Sequence, residues 1–102
     1  MRLIGQDVLT RAIRKHPVIR GWIQAWVINV ESAHWESLTD VRHTYPSADG
    51  VKLRSRLVVT VFNVNGNKYR LLASIRFDAQ FVQVLELLTH AEYDKSAWKG
   101  KY

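Results

Sequence analysis

The first third of the chain has its apolar residues at the spacing of two amphipathic helices. The first helix is predicted over residues 8–16, with Asp7 as its N-cap. Pro17 ends it, because the residue before a proline disfavours the helical backbone, and also starts a second helix that runs to about Ala33. The apolar stripe of this second helix comprises Val18, Ile19, Trp22, Ile23, Trp26, Val27 and Val30. So wide a stripe predicts a helical hairpin packed on a core.

The second half of the chain changes to the two-residue period of β-strands. The segment Leu57–Val64 predicts a buried strand. Asn65-Gly66 predicts a tight hairpin turn, because both residues tolerate a positive φ. A second strand is expected over Asn67–Phe77 and a third over Phe81–Leu88, which together form an antiparallel meander.

Short elements at both ends complete the predicted order (β)ααβββα. Arg2–Ile4 fits an edge strand, and a helical turn is expected after Thr39. Thr89 and Glu92 fit a capping box, ahead of a short helix over residues 90–98. The predicted fold is therefore α+β, in one domain over residues 1–102: an N-terminal helical hairpin packed on a twisted antiparallel sheet, with a short C-terminal helix and one exposed sheet face.

Composition excludes several kinds of chemistry and location. The absence of cysteine rules out disulfides, zinc ribbons and thiol nucleophiles. The longest stretch without a charged residue is 11 residues, whereas a bilayer span needs about 20. The N-terminal residues carry no apolar segment typical of a secretory signal, so we expect a cytoplasmic protein with no membrane partner.

The net charge of +6 is concentrated in the second half of the chain. Residues 1–50 hold six basic and five acidic side chains, whereas residues 51–102 hold nine basic and four acidic ones. Such an excess favours an anionic partner, either nucleic acid or an acidic protein. A soluble surface with spare lysines would produce the same composition.

The second predicted strand separates apolar from cationic residues. Its apolar face comprises Tyr69, Leu71, Ala73, Ile75 and Phe77. Lys68, Arg70 and Arg76 fall on the other face, because strand side chains alternate, and we call these three residues the cationic ladder. Arginine and lysine in this arrangement suit phosphate, and the absence of a carboxylate among residues 67–77 favours that interpretation over a solvated sheet face.

The segment His90–Lys95 concentrates residues that can move protons. It holds a histidine, two carboxylates, a tyrosine and a lysine within six positions, beside the predicted sheet. Histidine suits proton transfer because its unperturbed pKa is near neutrality. The alternative interpretation is an ordinary helix start. The remaining histidines lie at no metal-ligand spacing, so no metal site and no cofactor is expected.

Four blocks of the sequence together resemble the HigB family, the toxins of HigBA type II toxin–antitoxin modules in the wider RelE-like group. The blocks are Tyr45–Asp49, Phe62–Val64, Gly66–Leu71 and Thr89–Lys95. Their order matches the family over nearly the whole chain. One departure is a longer segment before the first meander strand, which adds the charges of Lys52, Arg54 and Arg56.

The resemblance implies a RelE-like fold with a concave basic surface and metal-independent cleavage of mRNA, typically on the ribosome. It also implies a cognate HigA-type antitoxin with a helix-turn-helix, through which alone the toxin would meet operator DNA. The catalytic candidates are Lys68, Arg70, His90 and Tyr93. The candidates for RNA binding are Arg56, Asn67, Arg76 and Lys95.

The chemistry of RNA cleavage assigns general roles to these candidates. A metal-free nuclease deprotonates a 2′-hydroxyl, stabilises charge on the phosphoryl oxygens and protonates the departing 5′-oxygen. Arg70 and Lys68 can supply positive charge, while His90, Tyr93 or Lys95 can move protons. Two other functions fit the same surface: a non-catalytic RNA- or ribosome-binding module that blocks translation by occupancy, and an interaction domain for an acidic protein.

Overall fold

A computed structural model describes residues 1–102 as a helical layer on a five-stranded sheet. The α-helices are α1 (Gln6–Lys15), α2 (Arg20–Ser32), α3 (Leu38–Thr44) and α4 (His90–Asp94), with 3-10 turns at Pro17–Ile19 and Ala97–Gly100. The strands are β1 (Arg2–Ile4), β2 (Asp49–Lys52), β3 (Val58–Val64), β4 (Tyr69–Arg76) and β5 (Phe81–Thr89). The α+β order predicted from the hydrophobic pattern is confirmed. No helix is long and apolar enough to cross a membrane.

The sheet has the strand order β1-β5-β4-β3-β2. β3, β4 and β5 form the predicted antiparallel meander, and β1 joins its edge parallel to β5. β2 pairs antiparallel with β3 and was missed in the sequence, because the segment that contains it is short and rich in charged residues. The extra charges before the meander therefore belong to a hairpin, whose turn spans residues 53–57.

The main core lies between the helices and one face of the sheet. Trp26 of α2 is fully buried, and its ring meets Phe62 of β3 edge-on at 5.5 Å between centroids. The predicted apolar stripe of α2 is confirmed except at Val18, which is 68% exposed. Val18 lies in the 3-10 turn before α2, so the helical spacing does not extend to it.

A second apolar cluster covers the sheet face that the sequence pattern left exposed. Its buried members are Leu53, Val59, Val61, Leu72, Leu88 and Trp98. Trp98 comes from the C-terminal 3-10 turn and is 2% exposed, so the end of the chain folds back over the sheet. The expectation of one free, cationic face is therefore wrong over this half of the sheet.

The connection between β1 and α1 depends on a glycine. Gly5 is the N-cap of α1 and has a φ of 88°, while the predicted cap, Asp7, lies inside the first turn. A Cβ placed on Gly5 would lie 2.8 Å from the carbonyl oxygen of Val84 in β5. Both the left-handed backbone and the close approach exclude other residues here.

We expect Gly5→Ala to lower the free energy of unfolding by about 1–3 kcal/mol, because alanine must adopt a left-handed backbone against the Val84 carbonyl. Gly21→Ala in α2 is the matched control: its Cβ meets nothing within 4 Å, and alanine should stabilise the helix by about 0.5–1 kcal/mol. Urea denaturation of both variants measures the difference, and equal midpoints would contradict this account of the β1–α1 connection.

Candidate active site between strand β4 and helix α4

Arg70 lies at the beginning of β4 with only 8% of its surface exposed. Its Nη1 donates to the backbone oxygens of Asn67 and Tyr69, each at 3.1 Å, and its Nη2 donates to Oδ1 of Asn67 at 2.6 Å. Arg70 points away from the main core, as the alternation predicts. It is nevertheless held by the protein, which corrects the interpretation of the cationic ladder as a solvated row.

The guanidinium of Arg70 keeps part of its donor capacity free. A guanidinium has five N–H donors, and three of those of Arg70 bond to Asn67 and Tyr69. The Nε–H and one N–H of Nη2 have no partner in the protein. Two such adjacent donors match two oxygens of one phosphate. Asn67, a predicted RNA-binding residue, thus holds this arginine in place.

The position of α4 is fixed by the capping box predicted from the sequence. The Thr89 backbone N–H donates to Glu92 Oε1 at 2.9 Å, and the Glu92 N–H donates to the Thr89 hydroxyl at 3.2 Å. The hydrogen bond from the Thr89 N–H also lowers the pKa of the Glu92 carboxyl. Glu92 is therefore occupied by capping, while His90 and Tyr93 extend from the same short helix.

His90 contacts a carboxylate that sequence reasoning did not assign to it. Its Nδ1 lies 2.8 Å from Oδ2 of Asp94, one helical turn further on. A carboxylate at this position favours the tautomer with the proton on Nδ1, in which Nε2 is the unprotonated nitrogen. The i,i+4 spacing of histidine and aspartate could have identified the pair.

Tyr93 lies between Arg70 and Trp98. Its ring is 5.4 Å from the Arg70 Cζ and stacks on the Trp98 ring at 5.4 Å between centroids, with 17° between the planes. Trp98 also donates its indole N–H to the Tyr93 carbonyl at 3.1 Å. Burial raises the pKa of the Tyr93 phenol, and the nearby Arg70 guanidinium offsets this only in part. The Tyr93 phenol is therefore protonated at neutral pH.

Two predicted lysines lie next to this group. The backbone oxygen of Lys68 accepts a hydrogen bond from the His90 N–H at 2.9 Å, so the turn before β4 contacts the start of α4. Lys95 follows α4 as its C-cap. Both lysine side chains are exposed and have no ion-pair partner.

Arg76 and Arg56 do not join this group. Arg76 lies six residues beyond Arg70 along β4, which is about 20 Å at the rise of a strand. It makes two hydrogen bonds to Asp78, at 3.2 and 3.1 Å. Arg56 lies in the β2–β3 turn at the same far end of the sheet. Lys68 and Arg70 therefore lie at one end of β4 and Arg76 at the other. Residues on the same face of a strand need not be close together.

The remaining predicted site residues define one candidate active site: Lys68, Asn67, Arg70, His90, Tyr93 and Lys95, to which the structure adds Asp94. No cluster of three or more His, Cys, Asp or Glu side chains that could hold a metal ion is present. The charges available at the site are those of a guanidinium, two lysines and a histidine–carboxylate pair.

Comparison with known proteins identifies the class to which this fold and site belong. Residues 20–96 match the family described as the RelE-like toxic component of a toxin–antitoxin system. The mRNA interferase toxin HigB of Escherichia coli (strain K12) is 31% identical over 94 residues, which cover 92% of this chain and 88% of that protein. The mRNA interferase HigB of Escherichia coli O6:H1 is 26% identical over 95 residues, 93% of this chain and 90% of that protein. The chain belongs to the HigB toxin family.

The burial of Arg70 leads to a prediction that separates its charge from its geometry. Arg70→Ala should abolish growth arrest and also cost about 1–3 kcal/mol of stability, because it leaves the Asn67 oxygen without its donor. Arg70→Lys keeps the charge but loses the paired donors, so activity should fall by about 100-fold or more. Induced growth arrest and the melting temperature measure the two effects.

Arg76→Lys is the matched control, since Arg76 is exposed and paired with Asp78. We expect it to retain growth arrest and stability. Full growth arrest by Arg70→Lys would show that the fixed guanidinium is not needed.

Proposed function

We propose that this chain is the toxin of a type II toxin–antitoxin module and acts as an mRNA interferase at the β4–α4 site. The observation that carries the proposal is the guanidinium of Arg70, fixed against the ring of Tyr93, which belongs to the same short helix as the His90–Asp94 pair. The relatives named mRNA interferase HigB support the same reaction class.

The cleavage begins with attack of a 2′-hydroxyl on the adjacent phosphate. His90 accepts the 2′-proton at Nε2, because Asp94 holds the proton on Nδ1. The O2′–P bond forms as the P–O5′ bond breaks, which leaves a 2′,3′-cyclic phosphate and a 5′-hydroxyl. Every atom comes from the RNA and from protons of the protein, so the step needs no co-reactant.

Tyr93 protonates the leaving group, and the cations stabilise the charge on the phosphoryl oxygens. Tyr93 donates its phenolic proton to the departing 5′-oxygen, since its raised pKa keeps it protonated. The two free N–H donors of Arg70 bind the phosphoryl oxygens, and Lys68 adds charge at the rim. Donors fixed before the reaction stabilise transition-state charge without reorganisation.

Membership of the HigB family supports a biological setting for the proposed reaction. Translating ribosomes present mRNA as a single strand. Asn67, which contacts Arg70, and Lys95, the exposed C-cap of α4, are the residues proposed to bind such a strand. A HigA-type helix-turn-helix antitoxin neutralises the toxin and carries any contact with operator DNA. A net charge of +6 favours rapid capture by an acidic partner.

Cut-end mapping tests the proposed roles of α4. Primer extension on a reporter transcript, with each variant induced to equal levels, should show strong cleavage by the wild type. Cleavage should fall by about 100-fold or more for His90→Gln and Tyr93→Phe, and less for Asp94→Asn, because Asp94 only orients the imidazole. Added imidazole should restore part of the cleavage to His90→Ala.

His34→Gln is the matched control, since His34 is an exposed histidine 3.8 Å from Glu36 and far from α4 in sequence. Equal cleavage by the wild type and all the α4 variants would remove this helix from the site. Growth arrest without any cut ends would favour the non-catalytic, ribosome-blocking module instead.

The antitoxin prediction is independent of catalysis. A pull-down of His90→Gln from the native host should return a small helix-turn-helix protein, and the association rate should fall steeply as salt rises. Recovery of the toxin chain alone, with no second small protein, would contradict the proposed partner.

A further inference from the structure

An open cleft of about 390 Å³ lies between the β2–β3 hairpin and the C-terminal 3-10 turn. We call it the distal cleft. Its lining residues are Val51, Lys52, Leu53, Arg54, Lys99 and Gly100. Three of the six are cationic and none is acidic. The side chains of all three cations are exposed, so the cleft is open to a partner.

The three cations of the distal cleft are electrically uncompensated. Lys52, Arg54 and Lys99 take part in no ion pair and donate no side-chain hydrogen bond. Arg42, which flanks β2 on the helical side, is by contrast paired with Asp49 at 3.3 Å. Like charges around one cleft repel each other, and a bound anion removes that repulsion.

The distal cleft is joined to the candidate active site through the second apolar cluster. Trp98 stacks on Tyr93 and is followed in the chain by Lys99, whose Nζ lies 5.8 Å from the Trp98 ring. Leu53, at the base of the cleft, belongs to the same cluster as Trp98. A strand bound at Arg70 and Tyr93 can therefore continue over the C-terminal segment to the cleft.

We propose that the distal cleft is a second binding subsite for the phosphodiester backbone of RNA, separate from the scissile phosphate. The proposal rests on the function proposed above and adds a place for the flanking strand. Lysine and arginine without a buried polar partner bind phosphates with little sequence preference. Trp98 is 2% exposed and offers no ring to a base, so the contact is to the backbone.

This subsite gives a function to Lys52 and Arg54, two of the charges in the longer segment before β3. The β2–β3 hairpin places Lys52 and Arg54 opposite Lys99, although they are more than 40 positions apart in the chain. The RNA held there is either the substrate strand or ribosomal RNA, since both present the same phosphodiester groups. If the cleft holds the substrate strand, removing its cations weakens binding of isolated RNA. If it holds ribosomal RNA, the loss of affinity appears only with ribosomes.

The test compares two variants of equal net charge. Arg54→Gln/Lys99→Gln removes two cations from the distal cleft. Arg14→Gln/Arg20→Gln removes two exposed cations that line a different depression, on the helical layer. Because all four side chains are exposed, both variants should keep the wild-type melting temperature. The single variant Arg54→Gln serves as a second reagent if the double variant unfolds.

Binding is measured with 2′-O-methyl RNA, which lacks the attacking hydroxyl, so the result does not depend on catalysis. For a strand of about 12 nucleotides, the cleft variant should bind about tenfold more weakly than the control variant, and its salt slope should be lower by about 1.4. A strand of about 4 nucleotides should bind both variants equally.

Ribosome co-sedimentation of the same variants distinguishes the two sources. Loss of affinity for the longer isolated strand assigns the distal cleft to the substrate. Loss confined to co-sedimentation assigns it to ribosomal RNA. If neither measurement separates the cleft variant from the control variant, the distal cleft is not an RNA subsite, whereas failure of the proposed function itself would appear in the cut-end mapping.

Discussion

The packing of three planar groups, Arg70, Tyr93 and Trp98, joins the end of the chain to the sheet. Each group depends on the next, since Trp98 both stacks on Tyr93 and donates to its carbonyl, and Tyr93 covers the guanidinium. Without Trp98 the sheet face would lose part of its cover, and Tyr93 would lose the ring that supports it over Arg70. The candidate site is therefore a product of this packing as much as of its own side chains.

The residues that form regular local patterns could be predicted from the sequence. The two helices, the meander and the Thr89–Glu92 capping box follow from spacing within a few residues, and all are present. Strand β2 and the Gly5 cap were missed, because they depend on contacts with β3 and Val84 that lie far away in the chain. Long-range contacts leave no periodic signature in a single sequence.

The candidate site also has one part that could be predicted from local sequence patterns and another that depends on long-range contacts. Alternation along β4 indicated which cations share a face, but it could not show that Arg70 is buried. Nor could it show that Arg76, about 20 Å from Arg70 along the strand, pairs with Asp78. The cover over Arg70 comes from Tyr93, more than twenty positions further along the chain, and Trp98 stacks on Tyr93 in turn. Asp94 was within reach of sequence reasoning, since its spacing from His90 is one helical turn.

The three hydrogen bonds that hold Arg70 have a thermodynamic consequence. A free arginine side chain gives up about 2 kcal/mol of rotamer entropy when a ligand immobilises it. Here Asn67 and Tyr69 have already removed that freedom during folding. In the proposed complex, RNA meets one rigid cation at the reacting phosphate and exposed, unpaired cations elsewhere. A rigid donor discriminates by geometry, whereas mobile donors follow a strand as it shifts, so the surface combines selectivity at one point with tolerance along the rest.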